Sequence, residues 1–167
     1  MPHLQRLISE QALQSRIQEL GKEIRKHHGH KALTCICVLR GAIFFAADLV
    51  RSIGGEIRME FIHIKNPIKS LDIEVDYISG SIQNQDCILI EDIVETGLTL
   101  NSLCAYLDGL QPKSLMRVSL LDKPSSRKEA ILIDYIGFSI PDEFVVGYGL
   151  DLKGRYRALN HIATYTP

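Results

Sequence analysis

The sequence predicts an α/β fold built on a mainly parallel sheet. Three observations carry that prediction. Short apolar runs such as TCICVL (34–39) and CILI (87–90) are continuous rather than alternating, as in strands covered on both faces. Stretches with helical periodicity separate these runs, the alternation expected of helices flanking a sheet. Charged and glycine-containing segments follow the runs directly, and open parallel sheets bind ligands beyond the carboxyl ends of their strands.

The 167 residues suit one domain, 1–167. A chain of this size buries about 70% of its unfolded surface and needs no disulfide or metal staple to fold. Hydrophobic residues make up 46% and charged residues 23%, which argues against a disordered, collagen-like or coiled-coil chain. A net charge of −1, from 19 basic and 20 acidic residues, argues against a surface devoted to nucleic acid.

In chain order, MPHLQRLISEQ lacks the apolar core of a signal peptide. Leu13, Ile17, Leu20 and Ile24 then recur on one helical face, with Ser9 as N-cap and Gly29 as the stop. TCICVL is the first buried strand, and AIFFAADLVRSI reads as a helix ended by Gly54 and Gly55. Residues 57–64 form a second strand. Residues 66–84 read as a polar loop with one edge strand at 73–78.

CILI leads into EDIVETGLTL and a helix carrying Leu100, Leu103, Leu107 and Leu110, closed by Pro112. Strands at 114–121 and near 134–140 and an extended piece at EFVVGYG complete the pattern. No apolar run approaches the roughly 18 residues a membrane span needs. Cys35, Cys37, Cys87 and Cys104 sit in apolar stretches and read as buried structural thiols, and the chain reads as cytoplasmic. His27, His28 and His30 end a polar helix and read as solvated rather than metal-binding.

The segment 87–100 is the most informative. Its strand ends in two adjacent carboxylates, Glu91 and Asp92, and Thr96, Gly97 and Thr99 open the next helix. A helix N-terminus presents unpaired N–H groups and partial positive charge, which bind phosphate. Acids beside a phosphate make sense if they face another part of the ligand, such as ribose hydroxyls or Mg²⁺. The residues therefore suggest a sugar-phosphate site. No G-x-x-x-x-G-K-[ST] is present, and Gly147-Tyr148-Gly149 does not complete a dinucleotide fingerprint.

ILIEDIVETGLTL closely resembles the ribose-phosphate motif of type I phosphoribosyltransferases. VLRGAIFFAADL (38–49), LLDKP (120–124) and GFSIPDEFVVGYGLDLKGRYR (137–157) extend the resemblance to the hypoxanthine-guanine members, over nearly the whole chain. The resemblance implies a central sheet flanked by helices, with a small hood formed by terminal segments. It also implies a purine salvage enzyme that moves the phosphoribosyl group from phosphoribosyl pyrophosphate to hypoxanthine, and guanine, with release of pyrophosphate.

By the same resemblance, Glu91 and Asp92 hold the ribose hydroxyls, with or without Mg²⁺, and the loop from Glu95 through Thr96 and Gly97 to Thr99 cradles the 5′-phosphate. Arg40 and Gly41 match the pyrophosphate loop, where a non-proline cis peptide precedes the basic residue. Arg157 matches a pyrophosphate-binding arginine and Asp151 a Mg²⁺ ligand. Lys123 matches the lysine that donates to the purine's exocyclic oxygen, Phe144 the stacking aromatic and Val145 the backbone that reads the base edge. Self-association as a homodimer or homotetramer is implied too; nucleic acid and membrane partners are not expected.

Two departures stand out. The family's general base is an Asp, and here Glu95 puts the carboxylate one methylene further out. The mobile loop's Ser-Tyr pair has no counterpart in HIKNPIKSLDIE, which reads as shortened. These departures motivate an alternative, a regulator on the same fold that senses phosphoribosyl pyrophosphate or nucleotide. A third reading keeps the enzyme and makes xanthine its main substrate.

Overall fold

A computed structural model describes residues 3–65 and 74–167. The elements in order are β1 (His3–Ile8), α1 (Glu10–His28), β2 (Leu33–Leu39), α2 (Ile43–Ile53), β3 (Ile57–Ile64), β4 (Val75–Ile78), β5 (Asp86–Val94), α3 (Leu98–Gly109), β6 (Ser114–Asp122), β7 (Tyr135–Ser139), β8 (Val145–Val146) and β9 (Ile162–Thr166). The central sheet runs β4-β3-β2-β5-β6-β7. Every pairing in it is parallel except β3 with β4 at the edge.

The continuous apolar runs follow from burial on both faces. Within β2, Cys35 and Cys37 join Leu13, Ile17, Phe45 and Leu49 under α1 and α2. Ile36 and Val38 point the other way, to a second core with Leu100, Leu103 and Leu107 of α3. The Ser9 side chain accepts from the Ala12 N–H at 3.2 Å, and the Gly29 N–H donates to the Arg25 carbonyl at 2.8 Å, so both ends of α1 fall where the sequence marks them. All four cysteines are free and buried, and burial pushes the Cys35 and Cys37 thiols up to about 12, so they stay protonated and inert.

A second sheet, β1-β9-β8, is antiparallel and joins the two chain ends, forming the hood over the site. The sequence reading did not anticipate β1. Five of its six residues are exposed, its apolar residues Leu4, Leu7 and Ile8 do not alternate as a strand's would, and its partner β9 lies at the far end of the chain.

Three readings are corrected. β5 does not end at the acids but continues through Glu91 and Asp92 to Val94, because β6 goes on pairing with it from Glu91↔Ser119 to Val94↔Asp122. Leu110 lies just beyond α3 as its C-cap. His28 is buried rather than solvated, its Nε2 2.9 Å from the Met116 sulfur, and burial lowers its pKa. The reading of a shortened mobile loop falls mostly on residues 66–73, outside the described residues. Among the described residues no helix is long and apolar enough to cross a membrane.

Candidate active site

The extension of β5 carries Glu91 and Asp92 deep into the sheet's carboxyl edge. Glu91 is only 7% exposed. Asp92 accepts from the Ile93 N–H at 2.8 Å. Burial, then the Asp92 charge, raises the Glu91 pKa well above the usual range. Burial likewise raises Asp92 to about 6, against the lowering pull of backbone N–H groups and Arg157.

A stability prediction follows. The folded pair holds protons that the unfolded chain releases at about pH 4. Folded Asp92 therefore keeps its proton between about pH 4 and 6, with Glu91 raised in the same direction, and stability falls as pH rises through that window. Thermal melts in chelator between about pH 4 and 7 check this: Asp92→Asn is expected to flatten the fall relative to wild type, and an unchanged slope would show that the pair is not its source.

Gly41 at the end of β2 packs against this pair. A Cβ at Gly41 would run into Asp92 Oδ2, and a Cβ at Gly149 (φ 103°) would run into the Gly41 carbonyl. The 147–150 turn thus lies backbone on backbone against Gly41, and Gly41 in turn lies against the Asp92 carboxylate, which accounts for the second glycine of G-Y-G without any dinucleotide. The Leu39–Arg40 peptide is cis. Arg157 Nη2 lies 2.6 Å from Asp151 Oδ1, and Nη1 donates to the Gly149 carbonyl at 2.5 Å. The Gly154 N–H donates to the other Asp151 oxygen at 2.5 Å.

At the other end of the cleft, Lys123 is 3% exposed. Its Nζ lies 2.5 Å from Glu95 Oε1 and 3.8 Å from Asp142 Oδ1. A buried ammonium needs such partners. Phe144 is 50% exposed, with its ring edge-on to Tyr165 at 6.1 Å, so one face stays available for stacking beside buried Val145.

One cleft of about 320 Å³ is lined by Arg40, Gly41, Glu91, Asp92, Glu95, Thr99, Lys123, Phe144, Val145, Asp151 and Arg157. An adjoining cleft of about 440 Å³ shares Glu91, Asp92, Glu95, Thr99 and Asp151 and adds Thr96 and Gly97. Gly97 caps α3 in the left-handed region, φ 86°, where a Cβ would meet the Glu129 carbonyl. All the residues singled out from sequence therefore converge on two joined clefts.

A phosphoribosyl transferase domain model matches residues 4–153. The chain is 40% identical over 166 residues to a hypoxanthine-guanine phosphoribosyltransferase of Staphylococcus aureus, covering 96% of this chain and 93% of that protein. The relative so named from Bacillus subtilis is 39% identical, with 96% and 92% covered. The chain belongs to the hypoxanthine-guanine phosphoribosyltransferase family. A crystal structure of a member from Bacillus anthracis, with HEPES in its active site, superposes with a TM-score of 0.95 at 36% identity, over 100% of both chains. A hypoxanthine phosphoribosyl transferase of Trypanosoma cruzi, studied for the role of its C-terminal region in oligomeric state and activity, gives 0.91 at 35% identity, covering 98% and 91%.

Some lining residues of this family member escaped the sequence reading. Ile64 and Leu150 add apolar walls to the first cleft, and Lys128 lines the second. Asp142 lies within the IPDEF segment, but its place beside Lys123 depends on the fold. Lys128 sits in a polar run, SSRKEA, that gives no local signal.

Donor chemistry suits Mg²⁺, which takes hard oxygens and is commonly bound through one or two carboxylates plus substrate oxygens and water rather than by a protein cage. Glu91, Asp92 and Asp151 supply such oxygens. Among the described residues no three or more His, Cys, Asp or Glu come together as a group that could hold a metal ion, so each carboxylate would need substrate oxygens and water to complete a site.

Proposed function

We propose that this chain, as one domain over residues 1–167, transfers the 5-phosphoribosyl group from phosphoribosyl pyrophosphate to hypoxanthine and guanine, giving IMP or GMP and pyrophosphate. The observation that carries this is the meeting, in one cleft, of the buried Glu91–Asp92 pair with the Lys123–Glu95 pair and the half-exposed Phe144. Carboxylates suited to ribose thus face a base-reading lysine and an aromatic platform.

In this reading the 5′-phosphate sits on the loop from Glu95 through Thr96 and Gly97 to Thr99, and Glu91 and Asp92 accept from the ribose hydroxyls. Arg40, the Gly41 backbone and Arg157 take the pyrophosphate. Phe144 stacks on the purine and the Val145 backbone reads its edge. Lys123 donates to the exocyclic oxygen, which favours 6-oxopurines because adenine's amino group would offer a second donor. The purine's imidazole nitrogen bonds to the anomeric carbon as the carbon–pyrophosphate bond breaks, and Glu95 accepts the proton that the purine loses.

Negative charge gathers on the leaving group, where the Arg157 and Arg40 guanidinium groups lower the barrier electrostatically. Mg²⁺ held by Asp151 would supply further neutralisation of the pyrophosphate, and Mg²⁺ held by Glu91 and Asp92 would do the same at the ribose oxygens.

Incubation of the protein with phosphoribosyl pyrophosphate, Mg²⁺ and hypoxanthine or guanine is expected to yield nucleotide and pyrophosphate in equal amounts. No turnover with either base would overturn the reading. The relatives do not favour the regulator alternative, and Lys123, Phe144 and Asp151, which a pure sensor would not need, weigh against it.

Self-association as a dimer or tetramer belongs to the same proposal. Light scattering behind gel filtration checks it, with a monomer at micromolar concentration the contrary result. Buried, protonated thiols suit the reducing cytoplasm where such an enzyme would work.

A further inference from the structure

The phosphate loop has an electrostatic problem that its own sequence does not solve. It offers backbone N–H groups, hydroxyls and the α3 N-terminus, but no cation. The cleft beside it is lined by Glu91, Asp92, Glu95 and Asp151; Glu95 and Asp151 are paired with Lys123 and Arg157, which leaves neither of those cations free for a phosphate on this side. Arg40 and Arg157 line the neighbouring cleft and not this one. Among the described residues lining the phosphate-loop cleft, Lys128 is the one cation.

Its position is built rather than incidental. The Lys128 and Glu129 N–H groups both donate to the Thr96 carbonyl, at 2.9 and 3.0 Å. Asn101 Nδ2, from the first turns of α3, donates to the Ala130 carbonyl at 3.2 Å. Gly97 lacks a Cβ where the Glu129 carbonyl comes closest. Arg127, the preceding residue, is anchored to the buried carboxylate of Asp122. Main-chain bonds thus fix the segment to the loop, and the Lys128 side chain is left exposed at the cleft.

We propose that Lys128 is a further substrate-binding residue, placing its ammonium against the 5′-phosphate of phosphoribosyl pyrophosphate and of the nucleotide product. The proposal rests on the phosphoribosyl-transfer reading above. A lysine suits the task as a mobile point charge that follows a phosphate without a fixed fork geometry. Because backbone bonds hold the segment, substitution of the side chain leaves the loop in place.

The test compares wild type with Lys128→Gln and Lys128→Arg. At low ionic strength Lys128→Gln is expected to raise KM for phosphoribosyl pyrophosphate about two- to fivefold, the size of one exposed charge pair, with kcat within about twofold and purine KM unchanged. Binding of IMP is expected to weaken by a similar factor and binding of inosine, which lacks the phosphate, not at all. The difference should shrink in high salt, and Lys128→Arg should restore most of the affinity.

An IMP-to-inosine affinity ratio equal to wild type in Lys128→Gln overturns the role of Lys128 while leaving the transferase reading intact. A wild-type protein that does not turn over phosphoribosyl pyrophosphate overturns the reading beneath it, and the proposal with it.

Discussion

Glu95→Gln is expected to lower kcat with hypoxanthine by about 100-fold or more, the usual worth of a positioned general base. The amide cannot accept the purine proton. It also removes the nearer carboxylate from Lys123, leaving that buried ammonium with Asp142 at 3.8 Å. Glu95→Asp separates these two effects. The shorter side chain still accepts a proton but falls short of the 2.5 Å contact that the longer one makes. Its kcat is expected to stay within about tenfold of wild type, with the loss showing mainly in purine KM. A Gln variant at the wild-type rate would mean that the proton leaves by another route.

Lys123→Met is expected to reduce kcat/KM for hypoxanthine by about 10²–10³-fold. A charge-assisted hydrogen bond to the exocyclic oxygen is lost, and Glu95 loses the cation it faces. Met matches the lysine stem in volume, so the buried site is refilled rather than emptied. The preference for hypoxanthine over adenine should narrow, because no donor remains to be repelled by the adenine amino group. An unchanged hypoxanthine-to-adenine ratio would remove Lys123 from base recognition.

Much of the architecture was legible because burial writes itself into β2 and β5. A strand flanked by helices on both sides is apolar nearly throughout, and CILI and, apart from Thr34, TCICVL are. The helix ends were legible from Ser9 and Gly29 because capping is local chemistry. β1 was not, since Leu4, Leu7 and Ile8 do not alternate and its partner β9 is supplied by the opposite end of the chain. The true end of β5 was set by the neighbouring β6, which a single apolar run cannot announce.

The same division holds in the site. Glu91, Asp92, Thr96, Gly97 and Thr99 form one contiguous motif and could be found as a unit. Lys123, Phe144, Asp151 and Arg157 were reached through family resemblance, and the fold brings them to the same clefts. The Lys123–Glu95 contact spans 28 positions, and Lys128 reaches the phosphate loop through main-chain bonds to Thr96. No spacing rule predicts either one. Glu95, which reads in sequence as a departure from the usual Asp, has a definite place in the fold as the partner of a buried lysine.

Competition in a single mixture tests the central claim most directly. Wild-type protein, phosphoribosyl pyrophosphate and Mg²⁺ are combined with equal amounts of hypoxanthine, guanine, xanthine and adenine, and nucleotide formation is followed for each base. The account predicts that IMP and GMP form with stoichiometric pyrophosphate while adenine is left almost untouched. Adenine consumed as fast as hypoxanthine, or no nucleotide from any base, would contradict it.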